Sequence, residues 1–188
     1  MGELTELLQA VREGDGGAMD QVFALTYREL RDLAHGRLRR SSSRHTALDT
    51  TSLVHECYLR LVRLGQLNAQ DRSHFMAYAA RVMRSIIVDT VRARVAQRRG
   101  GDEMHVTLGT DVVDKASVDE HELLRLDEAL DELARLDQRL VQIVEMRYFA
   151  GLAVEEIAES LGVTSRTIRR QWEKARLLLF ASLQDRGH

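Results

Sequence analysis

Proline is missing from all 188 positions, and cysteine occurs once, at Cys57. Without proline, no backbone donor is removed and no φ is locked inside a helix. Leu, Ala, Arg and Glu, all good helix formers, dominate what is there, so an all-α fold is expected. A lone cysteine excludes an internal disulfide and a cysteine-based zinc site. No apolar run approaches the ~20 residues of a membrane span. The N-terminus MGELTELLQAVREGD lacks the basic-then-apolar order of a secretion signal, so a cytoplasmic protein without membrane contact is expected. There is also no glycine loop to cradle a phosphate. His35, His45 and His55 lie too far apart for one helical turn, and His55–Glu56 lacks the second histidine of a metalloprotease helix. Neither enzyme activity, nor a cofactor, nor a metal is expected.

The net charge of −2 hides strong segregation. From Asp102 to Asp137, twelve acids stand against Lys115, Arg125 and Arg135. From Arg81 to Arg99 the balance inverts: Arg81, Arg84, Arg92, Arg94, Arg98 and Arg99 accompany Asp89 alone. A second basic cluster runs from Arg166 to Arg176. Two basic islands around an acidic stretch predict two contacts with a polyanion.

The second island belongs to VEEIAESLGVTSRTIRRQWEKAR, Val154 to Arg176, which reads as helix, short turn, helix. Val154, Ile157, Ala158 and Leu161 share a face, with Glu155, Glu156 and Glu159 opposite. Ala158 is small where the helices would cross. Gly162 suits a left-handed turn, Val163 plugs it, and Thr164 or Ser165 can cap the second helix. Ile168, Trp172, Ala175 and Leu179 continue the buried side. Arg166, Arg169, Arg170, Gln171, Lys174 and Arg176 face outward with Glu173 as the one acid, the pattern of a helix laid into a DNA major groove. Packed helices with a solvated basic face are the plainer alternative; so many filled offsets favour DNA.

In chain order, Leu4, Leu7, Leu8 and Val11 predict a short helix, and Val22, Phe23, Leu25, Leu30, Leu33 and Leu38 a second. Residues Ser41 to Asp49 read as a loop. A third helix starts near Thr50 and carries Leu53, Val54, Cys57, Tyr58, Leu61 and Leu64. After a polar connection, Gly65 to Arg72, the longest helix runs from about Ser73 to Arg98 over Phe75, Ala79, Val82 and Ile86. Residues 100–117 read as a flexible acidic linker. Helices then follow over Val118 to Leu136 and, capped by Asp137, through Leu140, Val144 and Phe149 to a stop at Gly151. Two helical domains are expected, 1–99 and 118–188.

Three stretches carry a resemblance: LDTTSLVHECYLRLVRL from Leu48, HFMAYAARVMRSIIVDTVRARVAQRRGG from His74, and LVQIVEMRYFAGLAVEEIAESLGVTSRTIRRQWEKARLLLF from Leu140. In that order and spacing they resemble bacterial RNA polymerase sigma factors of the sigma-70 family, extracytoplasmic-function (ECF) type. The resemblance covers almost the whole chain. It implies a specificity subunit that is monomeric when free, with core RNA polymerase (clamp helices and flap) and promoter DNA as partners. The N-terminal domain would bind the clamp helices through Asp49, Thr50, Thr51, Ser52, His55 and Glu56. It would also open the minus-ten element with Tyr78, Arg81, Arg84, Arg92, Arg94, Arg98 and Arg99. The C-terminal domain would read the minus-thirty-five element with Ser165, Arg166, Thr167, Arg169, Arg170, Gln171 and Lys174. The residues permit this: opening DNA needs a positive channel and faces that hold unstacked bases. Phe75 reads as core, and Tyr78 stands open between core and base contact. A solvated helix end would explain some of the arginines, but six against one acid exceed what the macrodipole calls for.

One departure stands out. Members of the family carry Asp-Ala-Glu-Asp where this chain has Asp49, Thr50, Thr51 and Ser52, as in a subgroup whose acidic motif is degenerate. Each missing exposed charge pair is worth about 0.2–1 kcal/mol, more when desolvated in an interface. Phosphorylating a hydroxyl there adds about −1.5 to −2 charge at a helix N-terminus, where anions are favoured. A Ser/Thr kinase acting at Thr50, Thr51 or Ser52 is thus one candidate regulator and an anti-sigma factor another, although such hydroxyls are also ordinary helix caps. The alternative for the whole chain is a stand-alone helix-turn-helix regulator with an N-terminal dimerisation or ligand-sensing domain. A polymerase-binding protein that blocks initiation would leave both basic islands unused.

Overall fold

The structure, a computed structural model, describes residues 2–40, 49–64, 67–100 and 110–185, with side chains described at all of these except 40, 64, 98–100, 110–119 and 185. The leucine spacing of the first forty residues folds into α1 (Glu3–Arg12) and α2 (Ala18–Arg40). Next come α3 (Thr50–Leu64) and α4 (Arg72–Gly100). Leu8, Val22, Phe23, Leu30, Leu53, Val54, Cys57, Leu61, Phe75, Ala79, Met83 and Ile86 from these four helices form one buried cluster. Phe75 is fully buried, its ring edge-on to Phe23 at 6.2 Å, and Phe23 meets Tyr58 in the same way at 4.8 Å. Burial pushes the Cys57 thiol up to about 12, which leaves it an inert core residue. The connection before α4 is not polar throughout. Leu67 and Ala69 of that connection are both buried in the core.

In the C-terminal half, α5 (Thr110–Leu136) begins eight residues ahead of the expected Val118. The segment TDVVDKAS, assigned above to a flexible linker, contains no glycine or proline to stop a helix and joins α5. Residues 101–109 of the expected linker lie outside the described residues. Asp137 caps α6 (Gln138–Val144) by accepting from the backbone N–H groups of Arg139 and Leu140 at 3.0 and 3.4 Å. The expected helix does not continue as such through Phe149. Instead Glu145–Phe149 form a π turn, in which Ala150 N–H donates to the Glu145 carbonyl at 2.8 Å. The widened turn buries Glu145, Met146 and Phe149 together, and Gly151, at φ +74°, ends it. The chain closes with α7 (Val154–Ser160) and α8 (Ser165–Asp185).

Helix α4 serves both halves. Its Phe75, Ala79, Met83 and Ile86 belong to the N-terminal core. Ala77 instead joins Ile143, Met146, Ile157 and Ile168, while Ala80 joins Leu130, Leu133, Val144 and Phe149. Small side chains at these positions let the C-terminal helices come close to the α4 backbone. No strand occurs among the described residues, and none of their helices is long and apolar enough to cross a membrane.

Candidate nucleic-acid interface

The helix-turn-helix forms as its spacing predicts. Ile157 and Ile168 are fully buried between α7 and α8, Ala158 is buried at the crossing, and Val163 packs against them. Gly162 sits at φ +63°, and the N–H of Val163 closes back on the Ala158 carbonyl at 2.9 Å, a left-handed helix stop. Thr164 Oγ1 accepts from the Thr167 backbone at 3.2 Å and so caps α8. At the other end, Glu156 reaches back to the Ala153 N–H at 2.8 Å to start α7. The buried contact of Ile157 and Ala158 with Ile168 seats α8 on α7, and these local bonds define the turn and the helix ends around it.

On that platform Arg166, Arg169, Arg170 and Lys174 are exposed on one side of α8. Arg169 is steadied by Glu155 of α7 at 3.1 Å, and Arg176 by Glu173 at 3.2 Å. Ser165 and Thr167 are half-buried. Gln171 departs from the outward face assigned to it: its side chain is half-buried and its Oε1 is enclosed without a hydrogen-bond partner. The position lies beside Ile168 and Ala175, which turn it toward the body of the domain.

The arginines of α4 meet protein carboxylates. Arg84 is buried, with one guanidinium nitrogen against Asp127 of α5 and the other 3.4 Å from Glu145 of the π turn. Arg81 also reaches Glu145, at 3.5 Å; Arg92 reaches Asp127 at 3.1 Å and Arg94 reaches Glu120 at 3.1 Å. Burial raises the carboxyl pKa of Asp127 and of Glu145, outweighing the opposing pull of Arg84 on the first and of Arg81 and Arg84 on the second. The Phe149 ring lies between two guanidinium groups, Arg37 at 4.2 Å and Arg84 at 5.6 Å. The side chains of Arg98 and Arg99 lie outside the described residues.

A second contact joins the halves at the start of α4. Asp71 caps the helix by accepting from His74 N–H at 2.8 Å, and Ser160 at the end of α7 donates its hydroxyl to the same carboxylate at 3.1 Å. Burial alone would raise Asp71, but hydrogen bonds from the His74 backbone and ring and from Ser160 hold it below the usual range. The three side chains are not a nucleophilic triad. Asp71 and Ser160 both meet Nδ1 of His74, at 3.0 and 2.9 Å, whereas a relay needs both ring nitrogens. Arg72 adds ion pairs to Glu29 of α2 and, at 3.6 Å, to Glu156 of α7.

Tyr78 is half-buried against the N-terminal core and also lines an open cleft of about 510 Å³ with Arg60, Arg63, Arg81, Val82 and Ser85. Arg60 is held there by Asp89 at 2.9 Å and Ser85 at 3.2 Å. Sequence reasoning missed Arg60 and Arg63, because they lie on α3 and only packing brings them beside α4. At the start of α3, Asp49 accepts from the Ser52 backbone at 2.9 Å and from its hydroxyl at 3.2 Å. Those two bonds, the backbone one first, lower the Asp49 pKa. Asp49 is thus the cap, and the first turn it opens contains no acid. Thr51, Ser52 and His55 are exposed, while Thr50 and Glu56 are half-buried. Also outside the expectations is an apolar groove between α5, the π turn and α8, where Leu177 and Phe180 are 69% and 61% exposed.

A comparison with curated proteins gave no match. Against protein families, the model for ECF sigma factors matches residues 1–185. Its match spans both the arginine-rich helix and the helix-turn-helix, and the chain belongs to the ECF sigma factors, proteins of transcription initiation.

Proposed function

We propose that this sigma factor grips promoter DNA at two points, α8 reading the minus-thirty-five element and α4 taking the melted minus-ten strand. The observation that carries this reading is the exposed row Arg166, Arg169, Arg170 and Lys174 on a helix whose underside, Ile168 and Ala175, is fully buried. A rigid basic helix edge is what major-groove readout needs. The cleft beside Tyr78, walled by Arg60, Arg63 and Arg81, offers cations for a phosphate and an aromatic ring for an unstacked base. Core polymerase contacts fall to α3, at its first turns and further along where Leu59 and Val62 are exposed, for the clamp helices. The apolar groove along α8 suits the flap.

Regulation by a Ser/Thr kinase belongs to the same reading. Thr51 is exposed in an acid-free first turn whose cap, Asp49, is already supplied. A phosphate there would add the charge that the family motif otherwise provides. The decisive experiment adds the protein to core polymerase and reads initiation on promoter fragments. Core-dependent starts at defined positions support the reading. Dimeric binding to palindromic sites, without any effect on core, would instead identify a stand-alone regulator.

A further inference from the structure

We propose that the free chain masks its own promoter-opening surface, with Glu120, Asp127 and Glu145 standing where DNA phosphates would meet the arginines of α4. The proposal rests on the assignment of α4 to melted DNA. Arg81 and Arg94 stand thirteen positions apart on the helix, so that with Arg84 and Arg92 they span about 20 Å at ~1.5 Å per residue. Among the described residues, three carboxylates from the C-terminal half answer them, and all three are largely buried, with side-chain exposures of 4%, 12% and 9% for Glu120, Asp127 and Glu145. Acids are rarely buried unless paired, and each of these three is paired with at least one arginine of α4.

The mask is built to yield. Binding a strand's phosphates releases the counterions condensed on the nucleic acid, a gain that the protein's own carboxylates do not bring. DNA therefore displaces the mask once the halves part. The seam between the halves combines these ion pairs with apolar contacts, Ala77 and Ala80 of α4 joining the C-terminal clusters and Leu123 and Ala150 packing against the N-terminal core. The latch at the helix start, Ser160 on Asp71 and Glu156 on Arg72, is polar as well. Between domains, interfaces of mixed character permit relative motion. Polymerase, by seating the two halves on separate surfaces, would supply the opening force.

The test uses the full chain in four forms: wild type, Asp127→Asn/Glu145→Gln, Ser160→Asp, and Glu3→Gln/Glu6→Gln as a control for net charge. Small-angle scattering reads the radius of gyration. Fluorescence anisotropy at low salt reads the affinity for a labelled mixed-sequence single-stranded oligonucleotide. Ser160→Asp faces Asp71 with a second carboxylate and adds negative charge, so charge alone weakens its DNA binding, whereas unmasking strengthens it. The expected result is expansion of the first two variants with affinity raised about tenfold, the gain when a form populated near a tenth becomes dominant, and no change in the control. Expansion without tighter binding would overturn the masking together with the assignment of α4 to DNA. No expansion would overturn the masking alone, and the assignment would stand if Arg81→Ala/Arg92→Ala still weakens wild-type binding. Tighter binding by Asp127→Asn/Glu145→Gln without expansion, with weaker binding by Ser160→Asp, would also overturn it, as simple charge removal. Should Asp127→Asn/Glu145→Gln lose its helical circular dichroism, Ser160→Asp decides.

Discussion

Arg84 of α4 lies 3.4 Å from Glu145 of the π turn, and both side chains are about nine-tenths buried. Such a pair offsets desolvation with Coulomb attraction and adds little net stability, but removing one partner strands the other. Arg84 keeps Asp127 when Glu145 is lost. Glu145→Ala is therefore expected to cost about 1–3 kcal/mol, the penalty of an under-satisfied buried group. Glu145→Gln, which still offers an oxygen to Arg84, is expected to cost less. Urea unfolding of both variants checks the order.

Acidification separates two kinds of carboxylate. Asp127 and Glu145 have raised pKa values in the folded chain, chiefly from burial, so the folded state takes up their protons before the unfolded state does. Their contribution to stability grows as pH falls from neutrality toward the unfolded values of about 3.9–4.3, and is lost again as pH rises. Asp71, lowered by its hydrogen bonds, behaves oppositely: its contribution is present above the unfolded value and is lost as pH falls through the depressed one. The difference in unfolding midpoint between wild type and Asp127→Asn/Glu145→Gln is expected to move in favour of wild type as pH falls from neutrality toward the unfolded values. A difference moving the other way contradicts the burial account.

The turn of the helix-turn-helix depends on one backbone conformation. Gly162→Ala places a Cβ at φ +63°, and is expected to cost about 1–2 kcal/mol, although no atom crowds the position. Ile168→Ala leaves a cavity under α8 and is expected to cost about 2–5 kcal/mol. Thermal unfolding measures both. The glycine variant should also weaken DNA binding beyond its effect on stability, because the turn sets the angle of α8.

Thr51→Glu is expected to bind core polymerase more tightly than Thr51→Ala, by about 0.2–1 kcal/mol or more if the contact is desolvated. Titration of labelled protein with core enzyme reads this directly. Equal affinities would remove the case for a phosphorylation switch at the start of α3.

What the sequence made legible was whatever local spacing decides. Gly162, Ala158 and Ile168 each have a role fixed by neighbours a few residues away, and the helix-turn-helix was predictable down to a cap at Thr164 or Ser165, of which the structure uses Thr164. The π turn was not, because EMRYF contains ordinary helix residues; its wider winding is tied to burying Glu145, Met146 and Phe149 at once. The early start of α5 escaped because TDVVDKAS has helix-compatible residues but no clear apolar stripe. Leu67 and Ala69 were hidden in a polar context. Most consequential was Arg84. Its charge could be read at once, but the acids that meet it lie 43 and 61 positions away, and only packing shows that an arginine assigned to DNA first faces Asp127 and Glu145.

The two-point grip is tested most directly by selecting promoters from a randomised DNA library with core polymerase plus this protein, then repeating the selection with Arg169→Ala and Arg170→Ala. The account predicts two conserved blocks at fixed spacing in the wild-type pool. It also predicts loss of about 1–3 kcal/mol of discrimination in the upstream block alone when either arginine that reads a base edge is removed. A single block, a palindrome, or an upstream block unchanged in both variants would contradict it.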